Sequence, residues 1–142
     1  MKLHIVTIGK PKLDYAKKGW AEYLKRLKKH HDVRVTHIPD KKNDAKTILA
    51  ATEGSHRVGL VINAPQMTSM TLADFLQKRS MEGRELSFII GGPDGLPSEL
   101  VHECHTLWSM SSLTFPHDLA MVILLETLYR SSTITAGHPY HH

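Results

Sequence analysis

Three stretches of the 142-residue chain combine residue types that could do chemistry. The first is Gly91-Gly92-Pro93-Asp94-Gly95, directly after an apolar run. Paired glycines let a ligand approach the backbone closely and leave its N–H groups free to bind. Alone, the segment reads equally well as a tight turn. It is not GxGxxG, no phosphate-loop lysine follows it, and no acidic residue closes a strand where a dinucleotide ribose would need one. A dehydrogenase or nucleotide hydrolase therefore has little support. The second stretch, Ser109-Met110-Ser111-Ser112-Leu113-Thr114-Phe115-Pro116-His117, is rich in small hydroxyl residues. It reads either as a plain strand-to-helix loop or as a backbone-rich wall against a nucleoside. The third, His138-Pro139-Tyr140-His141, packs two imidazoles, a phenol and a proline into four residues. Ordinary termini fray, but an ordered tail of this composition could meet a nucleobase by stacking and hydrogen bonding. His102, Cys104 and His105 match no zinc-ligand spacing, so no metal site is expected.

Alternating strands and helices must position these stretches. Short apolar runs at Leu3 to Ile8, Val33 to Ile38, Val58 to Ile62, Leu86 to Ile90 and Leu107 to Met110 read as strands. Between them, helices are expected from Asp14 to about Lys29, over Ala45 to Thr52, from Thr71 to about Met81, and from Ser98. A last helix runs from about Asp118 to Ile134, leaving 135–142 as an irregular tail. Asp14, Thr71, Ser98 and Asp118 are the expected caps, with Asp74 completing a weak capping box on Thr71. Strands separated by helices require crossover connections and a mostly parallel sheet. Strands that are apolar throughout fit a sheet covered on both faces. Ligands of such sheets bind beyond the carboxyl ends of the strands, and here the loops after the fourth and fifth strands are the richest.

Composition sets the class. Hydrophobic residues make up 41% and charged residues 23%, which argues for one globular domain rather than disorder or a coiled coil. The single cysteine, Cys104, excludes a disulfide within the chain. The longest apolar run, Leu119 to Leu125, is far short of the about 20 residues a membrane span needs. The N-terminus has no secretion-signal pattern, so a soluble, cytoplasmic setting is expected. The net charge of +4 fits a polyanionic partner.

Two helices say more. At about 100° per residue, Ala16, Trp20, Tyr23, Leu24 and Leu27 share one face of the first helix. Lys17, Lys18, Lys25, Lys28 and Lys29 share the next. The basic face is either simply solvated or a stripe that tracks nucleic-acid phosphates. The last helix is apolar all round over Leu119 to Leu125, and must be covered on every side. In a small domain a second subunit is the expected cover, giving a homodimer.

Taken in order, these blocks resemble the RlmH family of SPOUT-class RNA methyltransferases. The similarity runs from Lys2-Leu3 and Gly9-Lys10 through Glu22-Tyr23-Leu24-Lys25-Arg26-Leu27 and Phe88-Ile89-Ile90-Gly91-Gly92-Pro93-Asp94-Gly95-Leu96. It closes with Ser109 to His117, Glu126, Leu128-Tyr129-Arg130 and His138-Pro139-Tyr140-His141. The resemblance implies a SPOUT-type α/β fold: a mostly parallel sheet of five to six strands, helices on both faces, and a C-terminal trefoil knot, which ordinary connection rules do not anticipate. It implies one catalytic domain over 1–142, with 135–142 facing the substrate, and pairing as a homodimer. The implied reaction is methylation at N3 of a pseudouridine in large-subunit (23S) ribosomal RNA on the assembled ribosome, with S-adenosyl-L-methionine as methyl donor.

Carried over residue by residue, the cofactor would meet Leu60, Gly92, Ser111, Ser112, Leu113, Thr114, Phe115 and Pro116. Lys25, Lys28 and Lys29 would hold RNA. Removal of the N3 proton needs a base or oxyanion donors, for which His117, Arg130, His138, Tyr140 and His141 are candidates. Arg130 would position phosphate or offset charge on the base carbonyl, and a tail histidine or Tyr140 would meet the uracil edge, in cis or from the partner subunit. Val61-Ile62-Asn63-Ala64-Pro65-Gln66-Met67 departs from the acidic residue and Gly-Lys usual in the family after the third strand. The alternatives are the same enzyme class with another RNA target, such as tRNA, and a non-catalytic RNA-binding module.

Overall fold

The computed structural model describes all 142 residues. Strands β1 (Lys2–Ile8), β2 (Asp32–Ile38), β3 (His56–Leu60), β4 (Leu86–Ile90) and β5 (Thr106–Trp108) form a single sheet of order β2-β1-β4-β3-β5. Every pairing is parallel, so the expected mostly parallel sheet is wholly parallel and has five strands. Helices α1 (Asp14–Leu27), α2 (Ala45–Ala51), α3 (Ser69–Ser80) and α4 (Ser98–His102) supply the crossovers, with one 3-10 turn at Asp40–Lys42, and α5 (His117–Ala136) follows the last strand.

Alternation along the strands divides the core in two. Leu3 and Ile5 of β1, with Phe88 of β4, face α1, α3 and α5 in the larger cluster. Val6, Ile8 and Ile89 face α2 and α4 in the smaller one, around Ile48 and Leu100. All five residues of β4 are buried, as a strand covered on both faces requires. On α1, Ala16, Trp20 and Leu27 are buried, while Lys25, Lys28 and Lys29 are exposed. The amphipathic reading of that helix holds, and it ends at Leu27, earlier than expected.

Several helix caps differ from expectation. Thr68, not Thr71, caps α3, with Thr71 as the reciprocal member of the capping box in place of Asp74. Leu13, Pro97 and Pro116 occupy the cap positions of α1, α4 and α5 without side-chain bonds. Asp14, Ser98 and Asp118 therefore sit inside their helices. Asp118 still caps a helix, but a distant one: its buried carboxylate accepts the backbone N–H groups of Lys12 and Leu13 at 2.8 and 2.7 Å, just ahead of α1. This contact joins the starts of α1 and α5, which run side by side in the same direction. Strand β3 ends at Leu60 and β5 at Trp108, before the runs Val61-Ile62 and Ser109-Met110, which turn away to form loops.

Candidate active site

The glycine turn and the hydroxyl-rich loop meet. Beyond the carboxyl ends of β3, β4 and β5, they line one cavity of about 520 Å³ with Leu60–Asn63 and the start of α5. That volume lies within the about 300–1,000 Å³ of small-molecule sites. Leu60, Gly92, Ser111, Leu113, Thr114 and Phe115 all line it. Ser112 and Pro116 do not; both are exposed.

The walls are mainly fixed backbone. The Gly95 N–H donates to the Gly92 carbonyl at 2.9 Å, closing the turn, and Gly95 takes a left-handed φ of 78°. A Cβ on Gly91 would lie 2.5 Å from the Gly95 carbonyl carbon, so the turn closes only because that position has no side chain. In the facing loop, the Ser109 hydroxyl donates to the Ser111 carbonyl at 2.8 Å. The Leu113 N–H donates to Ser111 Oγ at 3.0 Å, and the Ser109 N–H to the Pro65 carbonyl at 3.0 Å. The hydroxyl groups of Ser109 and Ser111 thus shape the loop, and its 61–67 neighbour braces it. Trp108, which sequence reasoning passed over, also lines the cavity; its indole N–H is buried without a partner. Val61, Ile62 and Asn63, which follow the end of β3, and Ala120 in the first turn of α5 are further lining residues not assigned to the cofactor from sequence. The signal for the first three was position alone.

Of the candidate proton-handling residues, only His117 reaches this cavity. Its Nε2 lies 2.8 Å from the Ile8 carbonyl. The carbonyl can only accept, so the proton sits on Nε2 and Nδ1 is left as the acceptor.

Arg130, His138, Tyr140 and His141 lie elsewhere. From His117 to Arg130 is thirteen helical residues, about 20 Å at 1.5 Å per residue, and no tail residue lines the cavity. Helix α5 continues to Ala136, beyond the expected Ile134. Gly137 then takes a left-handed φ of 72°, and the His138 N–H returns to the Thr133 carbonyl at 2.9 Å. This cap folds the tail back onto the α1–α5 seam. There the Tyr140 ring packs edge-on against Tyr129 at 4.7 Å, and its hydroxyl is 3.4 Å from that of Tyr23. Arg130 lies 4.7 Å from the Tyr140 ring centre, donates to Glu126 at 2.9 Å, and has a terminal nitrogen 3.3 Å from His141 Nδ1. Burial, first, and then the Tyr23 hydrogen bond push the Tyr140 phenol up to about 12, so it stays protonated. Lys25, Lys28 and Lys29 lie at the same end of the molecule, where α1 finishes.

Among the three helices of the larger face, α5 is packed by α1 and α3 on its inner sides. Leu119, Ile123 and Ile134 remain only half-buried. Near the start of α5, Leu13 and Tyr15 are 56% and 52% exposed, so an apolar strip remains open along this face. No helix is long and apolar enough to cross a membrane, and no cluster of potential ligands could hold a metal ion.

A family model described as "Predicted SPOUT methyltransferase" matches residues 1–141. The ribosomal RNA large subunit methyltransferase H of Deinococcus deserti is 46% identical over 145 residues, covering 99% of both chains. That of Nitrosomonas eutropha is 37% identical over 153 residues, again covering 99% of both. Among solved structures, a probable methyltransferase from Bordetella pertussis Tohama I superposes with a TM-score of 0.59 at 12% identity, covering 92% of this chain and 93% of that one. A probable methylase family protein from Haemophilus influenzae Rd KW20 gives 0.58 at 11% identity, covering 99% of this chain and 70% of that one. At such identities the likeness is one of fold.

Proposed function

The chain belongs to the SPOUT methyltransferase family, and from that premise we propose that it methylates N3 of a pseudouridine in large-subunit ribosomal RNA on the assembled ribosome, as a cytoplasmic enzyme using S-adenosyl-L-methionine. The observation that carries this reading is the convergence of the glycine turn and the 109–117 loop on one cavity. The residues present fit the cofactor: Leu60 and Leu113 offer apolar faces, the Gly92 turn offers fixed backbone, and the orphaned Trp108 N–H is a donor in the wall. Ser111, Thr114 and Phe115 would complete the cradle. When bound there, the cofactor supplies an electrophilic methyl group.

The chain's own residues then have to present and deprotonate the base. The N3 proton is weakly acidic, so orientation and proton removal set the demand. His117 stands at the cavity with Nδ1 as acceptor. Arg130, His138, Tyr140 and His141 form the nucleobase-facing group: a protonated phenol and a guanidinium suit a base carbonyl, and an imidazole suits the imide edge. Lys25, Lys28 and Lys29 beside that group hold RNA phosphates.

Both groups serve one reaction only if they come from different subunits. A two-fold pairing along the open α5 face, with the two helices antiparallel, brings one chain's tail to its partner's cavity and covers the apolar strip. Residues 1–142 then act as one unit whose last eight residues complete the partner's site. The course of the 109–116 segment, braced by 61–67 before α5 crosses back to α1, supports the trefoil crossing of the family.

Incubation with labelled S-adenosyl-L-methionine and ribosomal subunits, intact ribosomes or tRNA tests the proposal. Label at a single pseudouridine of large-subunit RNA in intact ribosomes is expected. Label confined to tRNA moves the substrate, and no label with no saturable cofactor binding turns the protein into a binding module.

A further inference from the structure

We propose that Glu22 and Arg26 of α1 form a positioning device for the C-terminal tail, gripping Tyr140 from α1 as Arg130 grips it from α5. The inference rests on the reading of function above. Two glutamate–arginine pairs of the same spacing face the seam between the helices: Glu22–Arg26 at 2.6 Å and Glu126–Arg130 at 2.9 Å. The Arg26 guanidinium lies 5.5 Å from the Tyr23 ring centre, 5.6 Å from Tyr129 and 6.0 Å from Tyr140. These distances lie at or within the about 6 Å over which a cation is attracted to an aromatic face. One guanidinium therefore touches the tail ring and both rings that support it.

Geometry separates Arg26 from its neighbours. Lys25, Lys28 and Lys29 stand free in solvent, whereas Arg26 is tied to a carboxylate and set against three rings. A short tail after a helix-ending glycine frays unless held. Apart from the backbone return of His138, the grip on this tail comes from Tyr23, Tyr129, Arg130 and Arg26. A planar guanidinium stacks and forks where an ammonium cannot, so lysine cannot replace arginine in this role.

The variants are Arg26→Gln, Arg26→Lys and Glu22→Gln in the full chain, with thermal melts confirming folding. Tail order is read from heteronuclear NOEs of the His138, Tyr140 and His141 amides, and catalysis from steady-state methylation of ribosomes. Arg26→Gln is expected to loosen the tail and lower kcat about tenfold with KM and cofactor affinity little changed. Arg26→Lys should rescue neither readout, and Glu22→Gln should move both in the same direction by less. An unchanged tail, a loosened tail with full kcat, a pure KM effect that steepens with salt, or complete rescue by lysine each overturns the proposal. If the native protein methylates no ribosomal substrate, the reading of function fails instead; the amide NOEs still decide whether Arg26 holds the tail.

Discussion

At the start of α5 the chain builds a cavity out of backbone; at its end it builds a cluster of side chains. The upper region depends on a turn that has no room for a Cβ at Gly91, a loop whose serine hydroxyls bond its own backbone, and an imidazole fixed by a main-chain oxygen. The lower one depends on three tyrosines, two arginines and their glutamates. The first suits a ligand that must be held in one shape. The second suits a polyanion with exposed bases, which aromatic rings stack on and cations neutralise. Helix α5 keeps them about 20 Å apart, so the two do not meet within one chain.

Changes at one end should leave the other intact. Deleting residues 138–142 should reduce methyl transfer by about 10³-fold, in the range of lost acid–base and positioning groups. Calorimetry with S-adenosyl-L-methionine should show native affinity. Gly91→Ala should do the reverse. The added carbon meets backbone at 2.5 Å, and a distortion of about 3 kcal/mol weakens cofactor binding by about 100-fold. Tail order should be native. Gly92→Ala, where the nearest atoms are 3.4 Å away, should be milder.

Asp118→Ala tests the clasp that joins α1 to α5. Losing a carboxylate that accepts two N–H groups should cost about 2 kcal/mol in urea denaturation. The triple variant Lys25→Gln, Lys28→Gln, Lys29→Gln should lower the salt slope of ribosome binding by about 2–3, with cofactor affinity unchanged.

The pH dependence also divides the molecule. His31 is pushed down to about 4, by burial first and then by the N-terminal ammonium and His30. His56 is pushed down to about 4, by burial first and then by Arg79 and His105. Both lie where strands begin, at the tail end. Unfolded imidazoles titrate near about 6.5. Between that value and about 4 the unfolded chain binds more protons, so stability should fall as pH drops through the window and stay level above it. Amide exchange should rise first around His31 and His56. Uniform acid unfolding would remove this distinction.

Much of the upper region was legible in sequence. Apolar runs marked the strands because both sheet faces are covered, and glycine pairing and small hydroxyls marked the cavity walls. What stayed hidden was orientation: nothing in the spacing tells Ser112 and Pro116, which face solvent, from Ser111 and Phe115, which face the cavity. Asp118 looked like a cap for its own helix because local sequence cannot show that Lys12 and Leu13 lie beside it. The tail was legible as chemistry but not as place. Its distance from the cavity follows from the length of α5, and Arg26 was not singled out because Tyr129 and Tyr140, whose rings it meets, lie more than a hundred residues away in the chain.

The central claim is that one chain's tail serves its partner's cavity. Mixing Gly91→Ala subunits with subunits lacking residues 138–142, after exchange of dimers, tests it directly. Half of the dimers are then mixed, and each holds one complete site of two, so methylation should return to about a quarter of the native rate. A mixture as inactive as its two components would contradict the account.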